Sequence, residues 1–236
     1  MYGTVKQSYY RMGALEVSMD ARTHLVTLGT IGLLAVLQSN IASAVRGCDG
    51  PNLDILIADC TDIIQSGSAA PYSLAVAYTN RGVAYAMRGQ YGRALEDYGQ
   101  AIKYDPNFAI AYNNRCYALA QLVKLEEALK DCQKALTLTP PDPNFLDSRA
   151  YVYLRMGKYT EAIKDYDEAL YLSPQLVLSL YGRGVAKFKV GDAAAAGKDL
   201  AAAKAIDPDI AKKMVGTGLV IDGTERLSNA APPRAR

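Results

Sequence analysis

Histidine is nearly missing from this sequence: there is one, His24, in 236 residues. It lies in an amino-terminal stretch with the layout of an export signal, so the processed chain is expected to carry no imidazole. Histidine-based acid–base catalysis and histidine-containing metal sites are excluded on that reading. A glycine-rich phosphate cradle and a C-x-x-C pair are missing as well. No charge of one sign dominates, since 26 Lys and Arg are interleaved with 24 Asp and Glu for a net charge of +2. Without a basic stripe, nucleic acid is not an expected partner. What remains is a chain that is 50% hydrophobic and 21% charged, a globular composition. Its length suits either one sizeable core or a linear array of small modules.

The amino terminus carries the first positive signal. Leu25 to Leu37, LVTLGTIGLLAVL, is a 13-residue apolar run that follows Arg22. It is shorter than the roughly 20 apolar residues needed to span a bilayer. Ala42-Ser43-Ala44 then supplies a small-residue cleavage pattern, so residues 1–44 read as a signal peptide cut after Ala44. The alternative is an uncleaved anchor. Met12 or Met19 could serve as the start, the latter giving MDARTH as a basic leader. Acylation of Cys48 is disfavoured, because Arg46 stands where a lipobox carries a small or apolar residue. Removing 1–44 takes away Lys6, Arg11, Arg22, Glu16 and Asp20 and leaves the charges balanced.

Beyond residue 74 the sequence repeats. Prolines stand at 106, 140, 174 and 208, a constant spacing of 34. With each proline at position 32, the units are 75–108, 109–142, 143–176 and 177–210. Position 4 is then Tyr78, Tyr112, Leu146 and Leu180, and position 8 is Gly82, Cys116, Ala150 and Gly184. Position 20 is Ala94, Ala128, Ala162 and Ala196, and position 27 is Ala101, Ala135, Ala169 and Ala203. Gly89, Gly157 and Gly191 mark a turn at position 15, where the second unit has Val123. Each unit divides at that turn into two segments of helical periodicity. The small residues allow close approach of the two helices, and the proline ends the second.

This pattern resembles the tetratricopeptide repeat family, with its large apolar residue at 4, small residues at 8, 20 and 27, and proline at 32. The resemblance covers 75–210 without gaps. It implies an all-α, right-handed superhelical solenoid of helix-turn-helix repeats, in which stacked hairpins bury a core that none buries alone. Residues 45–74 read as an amino-terminal cap with an orphan second helix, Leu53 to Gln65, followed by a four-residue insertion around SGSAAPYS. Residues 211–236 read as a carboxyl-terminal cap, begun by a short helix over Pro208 to Met214, and a fraying tail.

Two residue sets stand out within the repeat. Cys116 and Cys132 take positions 8 and 24, inward positions of the two antiparallel helices of one hairpin, and are expected to face each other. Cys48 and Cys60 form the remaining pair. In a chain marked for export these four thiols suggest two disulfides. Their spacing does not suit zinc, and the alternative is buried free cysteines acting as small apolar side chains. Position 7 is Arg81, Arg115, Arg149 and Arg183, a departure from the leucine common in the family. Position 23 is Asp97, Asp131, Asp165 and Asp199, with Asp59 in phase on the orphan helix. These are expected to form an ion-pair ladder, each Arg taking the Asp of its own or the preceding hairpin. The alternative is an arginine-lined site for anions.

The resemblance also implies a concave groove on the first helices, at positions 2, 5, 6, 9, 12 and 13. Here that face offers Thr79, Asn80, Asn113, Asn114, Tyr117, Gln121, Asp147, Ser148, Tyr151, Arg155, Tyr181 and Lys189. Amides and phenols suit an extended peptide, whose backbone needs partners along its length. Relatives that clamp the carboxyl terminus of chaperones use Lys and Asn residues whose counterparts here are Thr79, Val83, Asn114, Asn144 and Ser148. Only Asn114 matches, so that activity is not carried over. The expected function is a non-catalytic adaptor, periplasmic or secreted, monomeric, without cofactor or metal, holding another protein. The rival is a structural subunit that self-associates through its groove or stack ends. No insertion is large enough to house an active site.

Overall fold

The computed structural model describes residues 48, 50–215 and 217. The expected signal segment lies outside the described residues, as does the tail beyond 217. Among the described residues all regular structure is helical: α1 Leu53–Gln65, α2 Pro71–Met87, α3 Tyr91–Tyr104, α4 Ala109–Gln121, α5 Leu125–Leu138, α6 Pro143–Arg155, α7 Tyr159–Leu172, α8 Val177–Lys189, α9 Ala193–Ile206 and α10 Ile210–Lys213. Four helix-turn-helix pairs, α2/α3 through α8/α9, stack as a solenoid. Each helix packs on the next in sequence, and each first helix also packs on the first helix of the following pair. Among the described residues, no helix is long and apolar enough to cross a membrane.

Local chemistry sets the helix ends. The Asn52 side chain accepts from the Asp54 and Ile55 amides and starts α1, satisfying donors that have no partner inside a helix. Pro71 and Pro143 open α2 and α6, where a missing N–H leaves nothing unpaired. Of the insertion region SGSAAPYS, Ser66 to Ala70 form the connection between α1 and α2, and the rest joins the helix. Pro71 to Leu74 extend α2 to 17 residues, against 13 in α4, α6 and α8.

All four first helices end in the same backbone fold-back. The Gln90, Lys124, Lys158 and Asp192 amides donate to the carbonyls of Tyr85, Leu119, Tyr153 and Lys187 at 2.9–3.0 Å. This closure needs a left-handed residue, supplied by Gly89, Gly157 and Gly191 at φ 74°, 74° and 91°. In the second pair Val123 is held at φ 61°, a conformation that crowds any Cβ and a branched one most. Replacing Val123 with Gly should therefore stabilise the chain by about 1 kcal/mol, read as a rise of a few degrees in the thermal midpoint. An unchanged or lower midpoint would remove this account of strain.

In the first and fourth hairpins a glycine at position 8 faces a larger residue at position 24. A Cβ on Gly82 would lie 2.7 Å from the Tyr98 ring, and one on Gly184 would lie 2.8 Å from Leu200 Cγ. In the third pair Ala150 fills position 8, and Tyr166 reaches instead to Gly182, where a Cβ would meet its hydroxyl at 2.3 Å. Tyr98 and Tyr166 are fully enclosed, so neither ring can swing aside. Burial accordingly pushes both phenols well above their ordinary pKa. The second pair fills the same slot with sulfur.

Candidate functional site

Cys116 is bonded to Cys132, joining α4 to α5, and Cys48 is bonded to Cys60, tying the segment before α1 to that helix. All four are buried. These crosslinks occupy core positions and leave no thiol free among the described residues.

The arginines make two-pronged contacts within their own hairpins. Nε and Nη2 of Arg81 donate to the two Asp97 oxygens at 2.9 and 2.8 Å, and Arg115 to Asp131 at 2.6 and 2.8 Å. Arg149 holds Asp165 at 2.7 and 2.8 Å, and Arg183 holds Asp199 at 2.7 and 2.6 Å. The carboxylates are buried while the guanidinium groups remain partly open. Hydrogen bonds to these carboxylates hold all four guanidinium groups above their ordinary pKa. Burial pushes the Asp199 carboxyl up, but hydrogen bonds from Arg183 and Lys187 outweigh it and keep it below the usual carboxylate range. Its contribution to stability is thus in place above the unfolded carboxylate pKa and is lost as pH falls through the lowered folded value.

Asp59 does not belong to the ladder. It stands exposed on α1, and the outward Nη1 of Arg81 donates to Thr61 Oγ1 at 3.0 Å instead. The reason is topological: every two-pronged contact spans one hairpin, and α1 has no first helix of its own. Arg183 also reaches back across hairpins, donating from Nη1 to the Asp167 carboxylate at 2.7 Å.

The face expected to be an open groove is largely covered. Thr79, Asn113, Asn114, Asp147, Ser148, Tyr117, Tyr151 and Tyr181 are all buried. Positions 5, 6 and 9 lie where consecutive first helices pack together, as the Ser179 hydroxyl of α8 shows by donating to Asp147 at 2.5 Å. Asn113 Oδ1, Asn114 Nδ2, Ser148 Oγ and Thr79 Oγ1 are buried without a hydrogen-bond partner. Asn80 is half-buried and donates to the Cys48 carbonyl at 3.1 Å. Lys189 is exposed at the end of α8.

Three of the expected groove residues do converge. Tyr151 Oη accepts from Gln121 Nε2 at 3.0 Å and from Arg155 Nη1 at 2.8 Å. The same hydroxyl donates to the backbone carbonyl of Thr217 at 2.7 Å, and Arg155 donates to that carbonyl at 3.0 Å. Tyr117 stands beside Tyr151, with ring centroids 5.6 Å apart, and the Arg155 guanidinium lies 5.7 Å from the Tyr151 ring centre. Burial pushes the Tyr151 phenol above its ordinary pKa, against the opposing effect of Arg155, so it stays a donor. The segment after α9 therefore does not fray at once. Thr217 is held across 66 residues of sequence by α6, a contact that no periodicity announces.

A family model of the tetratricopeptide repeat matches residues 75–108, and a TPR repeat model matches residues 150–191. The chain is a tetratricopeptide repeat protein. In class it is a protein–protein interaction module. Solved structures with the same fold include MamA 41-end from Desulfovibrio magneticus RS-1, 18% identical with a TM-score of 0.58, covering 74% of this chain and 96% of that one. A crystal structure of MamA is 21% identical with a TM-score of 0.55, covering 68% and 91%. YrrB, described as a TPR protein with an unusual peptide-binding site, is 20% identical with a TM-score of 0.52, covering 70% and 84%. A search of curated proteins found no match.

Proposed function

We propose that this chain is an exported, non-catalytic adaptor that holds a segment of another protein against the concave face of its repeat stack. The observation that carries the reading is the convergence of Tyr151 and Arg155 on one peptide carbonyl, with Gln121 donating to the Tyr151 hydroxyl behind it. That face already holds a piece of polypeptide, and does so through its backbone, the feature any partner chain shares. The fold likeness to YrrB, whose described site binds peptide, agrees with it. Two buried disulfides agree with a setting outside the reducing cytosol.

The setting and the binding are tested separately. Sequencing of the processed product should begin at Val45; a product that retains Leu25 to Leu37 would overturn the cleaved-signal reading. For binding, the full chain is compared with Gln121→Ala and Arg155→Gln in capture from an envelope extract, with the exposed Lys124→Ala as control. Proteins held through the concave face should be retained by Lys124→Ala and reduced about tenfold or more by Arg155→Gln, the loss of a charged hydrogen bond. An identical captured set in all variants would sink the proposal.

A further inference from the structure

The contacts at Tyr151 fix the direction of every proton. A phenol oxygen has two acceptor sites and one proton. The contacting atoms, Gln121 Nε2 and Arg155 Nη1, both donate to it, so they fill both acceptor sites. The Tyr151 proton must then point to the Thr217 carbonyl, where Arg155 adds a second donor. The two groups aimed at the Thr217 position, Tyr151 Oη and Arg155 Nη1, are both donors there, which suits a carbonyl oxygen rather than an N–H.

What now fills it is small and local. Met214 is buried within the core cluster that contains Tyr117, Tyr151 and Tyr181, and Ile210 is buried beside it in the same cluster. Thr217 closes a turn, its amide and hydroxyl both donating to the Met214 carbonyl at 3.1 and 2.8 Å. The bound motif is thus the end of a short helix, with an apolar side chain three residues before the captured carbonyl. α10 has four residues, too few to be stable alone, so its order comes from docking: the burial of Ile210 and Met214, the Lys213–Asp207 ion pair and the contacts of Thr217. A terminal element that owes its order to docking alone opens as one unit, ahead of the hairpins it packs on.

We infer that Ile210 to Val215 together with Thr217 form a displaceable plug, and that a partner segment is taken up when its own apolar side chain and following carbonyl replace Met214 and Thr217. The inference rests on the reading of the concave face as a binding surface, and it names the chemistry of what binds there: a helix end or turn, read by one side chain and one mid-chain carbonyl. The tether supplies a high local concentration of the plug. A partner's apparent affinity falls by the fraction of molecules that remain closed.

The test uses a labelled synthetic peptide with the sequence of residues 209–222, DIAKKMVGTGLVID, and the full chain. Met214→Glu should eject the plug, and that chain should bind the peptide at least tenfold more tightly than the unaltered one. Adding Arg155→Gln to the opened chain should weaken binding about tenfold, and a peptide with Met214→Glu should not bind. Circular dichroism checks the fold, and Met214→Ala replaces Met214→Glu if the latter melts. Equal binding by closed and opened chains, no binding by the opened chain, or unfolding of both variants would make the segment a permanent cap and overturn the inference. Because the probe is the chain's own sequence, uptake of the peptide with no capture of a foreign protein would remove the proposed function alone.

Discussion

Converting Arg149 to leucine is expected to cost about 3–5 kcal/mol, the usual consequence of leaving a buried carboxylate without its partner. Asp165 is 4% exposed, and Arg149 holds both of its oxygens. Changing Lys124, an exposed residue at the start of α5, to alanine should stay within about 0.5 kcal/mol. The informative comparison is the double variant Arg149→Leu, Asp165→Leu. A buried pair is often replaceable by apolar side chains at little cost, so the double variant should recover most of the loss. Thermal midpoints of the three variants decide the matter. If Arg149→Leu melted with Lys124→Ala, the pair would not be a structural rung.

Removing both cysteines of the second hairpin, Cys116→Ala with Cys132→Ala, should destabilise the chain by about 3 kcal/mol, the chain-entropy value for a loop of this length. Three features of that hairpin make the effect large. Its position-15 turn is closed by Val123 rather than glycine. Its position-24 slot is filled by the disulfide sulfurs rather than by a side chain such as Tyr98, Tyr166 or Leu200, so the double alanine variant leaves a void. It also lies within the stack, so loosening it uncouples the hairpins on either side, whose stability depends on nearest neighbours. Unfolding should therefore begin lower and broaden into more than one transition. The variant lacking Cys48 and Cys60 should lose less, since that bond closes a shorter loop at the end of the array. Superimposable melting curves for the oxidised chain and the Cys116, Cys132 variant would count against this account. Combining the variant with Val123→Gly should restore part of the loss.

What could be read in the sequence was whatever recurs with the repeat. A proline every 34 residues, alanine at 20 and 27, and Arg and Asp at 7 and 23 occur in every unit, so each position's surroundings are sampled four times. Which Asp each Arg would take was not readable, because the Asp of its own hairpin and that of the one before recur with the same period. The tertiary structure chose the same hairpin, and that choice is why Asp59 is left exposed on an orphan helix.

The concave face shows the limit of the same method. Arc arithmetic on one helix separates its inner from its outer residues, and it placed Asn113, Asn114, Asp147 and Ser148 on an open flank. Whether that flank is open depends on how far each hairpin turns relative to the next, a property of two packed helices that no single helix encodes. Here successive first helices close over positions 5, 6 and 9. The sequence by itself determined the helix count per unit, the turn positions and which positions carry the repeated charges, because these follow from local spacing. Only the tertiary structure decided that Tyr151 and Arg155 meet Thr217, because that contact joins a periodic helix to an aperiodic segment 66 residues away and is selected by packing rather than by any repeat.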